Sequence, residues 1–128
     1  MDHIYYFDGN KKKISWVIEN GETCIKQSRV HAENYYEIVS VEQSKYIALH
    51  VGIFWGIGRR IIKNTDSINV MLDLRSMFGH LAEGKTVDNQ FIISKTKFIQ
   101  QLIDQRGLQI KYHIIEHDQN KATVLLSQ

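Results

Sequence analysis

Apolar and polar residues alternate over three short segments at the start of the chain, a pattern typical of β-strands with one buried face. These segments are 3–7, 14–19 and 23–31. Asp8-Gly9-Asn10 favours a turn between the first two, and Asn20-Gly21 is typical of a two-residue hairpin with a type I′ turn. The first third of the chain is therefore predicted to form an antiparallel meander of three strands.

After this meander the apolar spacing becomes helical, and it stays so over residues 40–62. Ser40 and Gln43 have the spacing of a capping box, so the helix is expected to begin there. Three glycines lie inside this segment: Gly52, Gly56 and Gly58. Because a glycine in a helix costs up to about 1 kcal/mol relative to alanine, their presence predicts a close approach of this helix to the sheet.

The rest of the chain alternates between predicted strands and predicted helices. Strands are expected at 67–74 and 110–115, and helices at 75–83, 91–105 and 120–127. Strands that are separated by helices need parallel crossovers. The order β-β-β-α-β-α-α-β-α therefore predicts one α/β domain over residues 1–128. Its five-stranded mixed sheet, three antiparallel strands and then two parallel ones, would be flanked by helices.

The composition is that of an ordinary globular protein, with 43% hydrophobic and 23% charged residues. No apolar run approaches the roughly 18–20 residues that span a bilayer, and the first residues do not resemble a signal peptide. We therefore expect no membrane association and a cytoplasmic location. The single cysteine, Cys24, cannot form an internal disulfide and is expected to be a buried or half-buried thiol.

Basic residues are clustered although the net charge is only +2. Two clusters stand out: Lys11 to Lys13, and Arg59, Arg60 and Lys63. Such clusters can bind phosphate groups. Charge alone favours solvated faces without a ligand, so a nucleic-acid partner needs support from other features.

Four segments, in order along nearly the whole chain, share features with one known family. They are Tyr5-Tyr6-Phe7-Asp8-Gly9-Asn10, Gln43-Ser44-Lys45-Tyr46-Ile47-Ala48-Leu49, Ile68-Asn69-Val70-Met71-Leu72-Asp73-Leu74-Arg75, and His117-Asp118-Gln119-Asn120 leading into Leu126-Ser127. The chain resembles the type 1 ribonuclease H domains of the ribonuclease H-like superfamily. This resemblance implies the ribonuclease H-like fold. For an active member it also implies Mg²⁺- or Mn²⁺-dependent cleavage of the RNA strand of RNA–DNA hybrids.

The family holds its divalent ions with four carboxylates, and the resemblance indicates where these positions fall. Asp8 occupies the first-strand position and Asp73 the fourth-strand position. Lys45 stands where the first helix presents a glutamate, and the last position falls on Val124 or Thr123, depending on the alignment. A lysine beside two aspartates would compete with a metal ion or replace it by a salt bridge. We therefore expect a catalytically degenerate domain that binds RNA, DNA or a hybrid, or that binds a protein partner.

A rearranged set of carboxylates is the open alternative. Glu42 lies one helical turn before Lys45, and Asp118 precedes the last predicted helix. With the two aspartates they would form an altered Mg²⁺ or Mn²⁺ site in an active ribonuclease H. His117 falls near the position of a mobile histidine that the family uses in product release, and a polar loop residue is an equally good interpretation.

Nucleic-acid contacts would have to come from few residues. The basic extra helix of some family members is absent, because residues 84–90 form only a short connector. Binding would then depend on the lysine cluster, on the start of the first helix and on the closing loop. The candidates are Asn10, Lys11, Lys12, Lys13, Gln43, Ser44 and Asn120.

Overall fold

The computed structural model describes all 128 residues, Met1–Gln128. The strands are β1 (Asp2–Gly9), β2 (Lys13–Asn20), β3 (Thr23–Val30), β4 (Ser67–Leu72) and β5 (Gln109–Ile114). The α-helices are α1 (Val41–Gly58), α2 (Arg75–Glu83) and α3 (Gln90–Arg106). The chain ends in two 3₁₀ turns, His117–Gln119 and Thr123–Ser127.

The five strands form one mixed sheet in the order β3-β2-β1-β4-β5. β1 pairs antiparallel with β2, and β2 with β3. β4 lies parallel to both β1 and β5. This confirms the predicted sheet of three antiparallel strands followed by two parallel ones. Because β1 and β4 are parallel neighbours, their carboxyl ends meet at the same edge of the sheet.

Helix α1 begins as its sequence predicts. The backbone N–H of Gln43 donates to Ser40 Oγ at 3.0 Å, and the backbone N–H of Ser40 donates to Gln43 Oε1 at 2.9 Å. The helix ends at Gly58, and Arg60 just beyond it adopts a positive φ of 63°. None of the helices combines the length and the apolar character that crossing a membrane requires.

Close packing of α1 on the sheet explains two of its three glycines. A Cβ at Gly52 would lie 1.8 Å from Tyr5 Oη and 2.8 Å from Trp16 Cγ. A Cβ at Gly56 would also meet core side chains, whereas Gly58 has nothing within 4 Å. The predicted close approach is therefore confirmed at Gly52 and Gly56, and packing does not account for Gly58.

The β2–β3 hairpin differs from its prediction. Asn20 pairs with Thr23 as the last residue of β2, so the connection is Gly21-Glu22. Only Gly21 has a positive φ, of 65°, and a type I′ turn needs a positive φ at both central residues. The predicted type I′ turn centred on Asn20-Gly21 is therefore wrong, because the strand pairing extends one residue further than the turn signal suggests.

Two other local predictions are also wrong. Cys24 is exposed, because β3 is an edge strand with both faces largely open to solvent. The end of the chain forms 3₁₀ turns where a terminal helix is predicted. The short segment is instead held by tertiary hydrogen bonds, among them the one that Ser15 Oγ donates to the carbonyl of Ala122 at 2.7 Å.

We predict opposite effects for two alanine substitutions in α1. Gly52→Ala should lower the free energy of unfolding by at least about 1–3 kcal/mol, because its Cβ overlaps the Tyr5 hydroxyl and the Trp16 ring. Gly58→Ala should leave stability unchanged or raise it by up to about 1 kcal/mol, because the Cβ enters open space. Urea unfolding of both variants checks this, and equal stabilities would contradict the packing described for Gly52.

Candidate active site

Two acidic side chains are buried side by side at the edge where β1 and β4 end. Asp8 lies in β1, and Asp73 follows the last residue of β4. Both side chains are almost fully shielded from solvent. Carboxylates buried so close together need a positive partner, because the low dielectric of the interior strengthens their repulsion.

Lys45 supplies that partner from the start of α1. Its Nζ lies 2.7 Å from Asp8 Oδ1 and 2.9 Å from Asp73 Oδ1, and its side chain is only 8% exposed. Burial acts to lower the pKa of Lys45, but hydrogen bonds and Coulomb attraction from the two aspartates outweigh burial and raise that pKa above 10.5. The ammonium group is therefore charged at neutral pH and bridges both carboxylates.

Asp73 accepts further hydrogen bonds at its second oxygen. Asn120 Nδ2 donates to Oδ2 at 2.9 Å, and His117 Nδ1 lies 2.6 Å from the same atom. Burial acts to raise the pKa of Asp73, but the hydrogen bonds from Asn120, Lys45 and His117 together lower it below its ordinary value of 3.8. A carboxylate at this position is thus ionised well into the acid range.

Thr123 completes the cluster opposite Lys45. Its hydroxyl donates to Asp8 Oδ2 at 2.6 Å, whereas Val124 is 60% exposed and lies outside the cluster. Of the two residues that the sequence left open, Thr123 contacts Asp8 and Val124 does not.

One group of side chains has the spacing of a metal site, but its ligand atoms already form hydrogen bonds within the protein. Asp8, Asp73 and His117 offer ligand atoms that all lie within 4.8 Å of one another. Each of the four carboxylate oxygens already accepts a hydrogen bond from a side chain: Lys45, Thr123, Asn120 or His117. The residues as arranged therefore do not fit a divalent cation, because the Lys45 ammonium fills the space between the carboxylates.

Comparison with known proteins identifies the architecture. No protein-family model and no curated protein matches the chain. Among solved structures, RNase H1 from the halophilic archaeon Halobacterium salinarum NRC-1 matches with a TM-score of 0.78 and 14% identity, over 99% of this chain and 98% of that one. The protein has the ribonuclease H fold.

Two further structures agree with this assignment. The N-terminal RNase H domain of a Mycobacterium tuberculosis protein matches with a TM-score of 0.75 and 12% identity, over 93% of this chain and 85% of that one. LC11-RNase H1 in complex with an RNA/DNA hybrid matches with a TM-score of 0.71 and 15% identity, over 93% and 88%. At these identities the likeness concerns the fold.

Within the ribonuclease H fold, the other two acids proposed from the sequence lie apart from the aspartate pair. Glu42 accepts a hydrogen bond from Ser76 Oγ at 3.1 Å, and Asp118 is exposed in the first 3₁₀ turn. Neither belongs to the group of side chains with the spacing of a metal site. The structure brings together Asp8, Asp73 and His117, and it does not add Glu42 or Asp118 to them.

Asn120 is part of the interior of the site. It is buried, and its Nδ2 donates to the carbonyl of Phe7 at 2.8 Å as well as to Asp73. Its Oδ1 accepts from the backbone N–H of Ala122 at 3.0 Å. The Asn120 side chain thus joins the residues between the two 3₁₀ turns to β1. A contact between this side chain and nucleic acid would require these hydrogen bonds to break.

Four of the remaining candidates for nucleic-acid contact lie in the β1–β2 turn or at the start of β2. Asn10 Oδ1 accepts from the backbone N–H groups of Lys12 and Lys13, at 2.8 and 2.7 Å, and so shapes the turn. Lys11 and Lys12 are exposed, whereas Lys13 is half-buried and donates to the carbonyl of Gln128.

The other two candidates lie in the first turn of α1. Gln43 takes part in the capping box, and Ser44 is buried.

One further residue of this region, His31, is not among the candidates predicted from the sequence. His31 Nε2 lies 2.8 Å from Ser44 Oγ and 3.0 Å from the carbonyl of Asn10. Burial lowers the pKa of His31, so its neutral form joins the β1–β2 turn to α1 beside Lys45. No sequence signal identifies this contact, because the three residues belong to separate elements.

We predict that removing the Lys45 charge destabilises the fold in a pH-dependent way. Lys45→Met should lower the free energy of unfolding at pH 7 by about 3–5 kcal/mol, because two buried carboxylates lose their counter-charge. Folding lowers the pKa of Asp73 below 3.8 and raises that of Lys45 above 10.5. The ion pairs therefore stabilise the protein between these values, and their contribution disappears as pH falls or rises through the folded-state pKa values.

Urea unfolding of wild type and Lys45→Met across this pH range measures the difference. Lys45→Met combined with Asp8→Asn and Asp73→Asn is the matched control, since it also removes the negative charges and should recover much of the lost stability. A difference that does not vary with pH would contradict an electrostatic origin.

A second prediction separates the two neighbouring positions at the end of the chain. Thr123→Val should destabilise by about 1–3 kcal/mol, because the buried Asp8 carboxylate loses a donor. Val124→Thr should change stability by no more than about 0.5 kcal/mol, since this side chain is exposed. Thermal unfolding of both variants tests this, and the reverse order would show that Val124 faces the site.

Proposed function

We propose that this protein is a non-catalytic ribonuclease H-fold domain that binds nucleic acid, with the Lys45 ammonium in the place of the catalytic cations. The observation that supports this is the pair of contacts from Lys45 Nζ, at 2.7 Å to Asp8 and 2.9 Å to Asp73. Metal-assisted hydrolysis needs carboxylate oxygens that are free to coordinate ions. An ammonium group neutralises these oxygens but has no coordination position for a water nucleophile or a phosphate oxygen.

The balance of charge supports a binding site beside the aspartate cluster. Two carboxylates and one ammonium leave a formal charge of −1 on the buried cluster, which does not attract a phosphate group. Lys11 and Lys12 are exposed on the neighbouring β1–β2 turn, and exposed lysines can bind the nucleic-acid backbone.

The proposed ligand is an RNA–DNA hybrid or RNA. One solved structure with this fold, LC11-RNase H1, is in complex with an RNA/DNA hybrid. Here the exposed lysines lie next to the end of the sheet that carries the aspartate pair, so a duplex bound there would pass over the site without being cut. A protein that binds only a protein partner would instead show no salt-sensitive affinity for the hybrid.

We predict that wild-type protein does not cleave a labelled RNA–DNA hybrid with Mg²⁺ or Mn²⁺, and that Lys45→Glu with Thr123→Asp gains cleavage. The second substitution is placed at Thr123 because this side chain contacts Asp8. Adding Asp73→Asn to the double variant is the control and should abolish the gain. Wild-type cleavage that Asp73→Asn removes would overturn the proposal.

Metal binding gives a readout that does not depend on cleavage. Mg²⁺ should raise the Tm of the double variant, because an ion that binds only the folded state stabilises it. The Tm of the wild type should not change, since Lys45 holds the site. A Mg²⁺-dependent rise in the wild-type Tm would show that an ion can displace Lys45.

The second candidate is an active ribonuclease H with a rearranged site. The observation that favours it is the group Asp8, Asp73 and His117, whose ligand atoms lie within 4.8 Å of one another. This function requires the Lys45 side chain to leave the carboxylates when an ion binds. It predicts hybrid cleavage that EDTA stops and that His117→Ala weakens.

A further inference from the structure

A groove lies between the second half of α1 and the edge strand β3. Its volume is about 380 Å³, and its lining residues are Arg29, Val51, Phe54, Trp55, Gly58 and Arg59. None of these is acidic. Trp55 follows Lys45 by ten residues in the same helix, which corresponds to about 15 Å along the axis. The groove is therefore separate from the aspartate cluster.

The guanidinium groups of two arginines in the groove lie over tryptophan rings. Arg29 Cζ lies 5.3 Å from the centre of the Trp16 ring, and Arg59 Cζ lies 5.4 Å from the centre of the Trp55 ring. Both arginines are exposed, and neither forms a salt bridge within the protein. A guanidinium group over an aromatic ring keeps N–H groups free for an anion, and the cation–π contact reduces the side-chain entropy lost when the anion binds.

An open aromatic ring accompanies these charges. Phe54 lines the same groove and is 62% exposed. A groove with exposed aromatic surface and two uncompensated guanidinium groups fits a ligand that carries both anionic and flat apolar parts. Single-stranded nucleic acid has both, because its phosphates bind arginine and its unpaired bases stack on aromatic rings. In a duplex the faces of the bases are covered by their neighbours.

We propose that this groove binds single-stranded RNA or DNA, with Arg29 and Arg59 on phosphates and Phe54 under a base. The inference extends the proposed nucleic-acid function to a second contact, and it does not depend on the lysines of the β1–β2 turn or on the state of the aspartate cluster.

The test is fluorescence anisotropy with short labelled oligo(U) and oligo(dT), measured across a range of salt concentrations. Arg29→Ala and Arg59→Ala should each reduce the slope of log K against log salt by about 0.7, the value for one lost phosphate contact on a single strand. Phe54→Ala should weaken binding at least about fivefold with the slope unchanged, because stacking does not release counterions.

Conservative and matched variants isolate the site. Arg29→Lys should keep the salt slope but weaken binding, since lysine keeps the charge and loses the planar guanidinium group with its several N–H donors. Lys26→Ala is the charge control, because Lys26 lies on the same strand as Arg29 but on its other face. Phe98→Ala is the aromatic control, because this exposed ring lies on α3 outside the groove. Both controls should retain most of the wild-type affinity, and circular dichroism establishes that each variant is folded.

Two results would overturn the inference. The first is oligonucleotide binding that Arg29→Ala, Arg59→Ala and Phe54→Ala leave unchanged. The second is poly-glutamate that competes as well as the oligonucleotide, which would make the groove a site for acidic polypeptides. Replacing Lys11 and Lys12 with alanine tests the hybrid proposal separately: this change should weaken hybrid binding and leave the Phe54 effect on oligo(U) intact.

Discussion

The buried ammonium group of Lys45 forms ion pairs with both of the carboxylates that the parallel pairing of β1 and β4 brings together. Two such charges cannot share a dry site without compensation, because their repulsion and their desolvation both oppose folding. Divalent ions compensate these carboxylates in the family that the sequence resembles. Here the compensating charge is attached covalently to α1, so it is present in every folded molecule and does not depend on a metal supply.

This arrangement makes the cluster a structural junction. Through it β1, the end of β4, the start of α1 and the closing 3₁₀ turns are joined by Asp8, Asp73, Lys45, Asn120 and Thr123. Residues in a catalytic centre usually trade stability for reactivity. Here the two carboxylates share an ammonium group and all their oxygens accept hydrogen bonds, which is the arrangement that favours stability. The cluster thereby holds the closing 3₁₀ turns to the sheet.

A domain whose central charges are satisfied internally must interact through its surface. The exposed lysines of the β1–β2 turn and the arginines that lie over Trp16 and Trp55 are the cationic groups that we propose for binding. They lie on separate parts of the molecule, the end of the sheet and the flank of α1. In the function that we propose, the fold presents these separate contacts to a long polyanion, and this role requires no chemistry at the aspartate pair.

The sequence by itself determined the order of the five strands and of the first three helices, and the cap of α1. Its resemblance to type 1 ribonuclease H domains implied that Asp8, Asp73 and Lys45 lie together. The elements and the cap follow from local periodicity and short motifs, whereas the site positions follow from the resemblance. Only the tertiary structure decided that Thr123, 115 positions from Asp8, bonds its carboxylate. It also decided that His31 reaches Ser44, and that Gly21-Glu22 forms the hairpin turn. The physical reason is that such contacts depend on how separate elements pack against one another, which no local pattern encodes. A shift of one residue in alignment or strand pairing brings a different side chain to the contact.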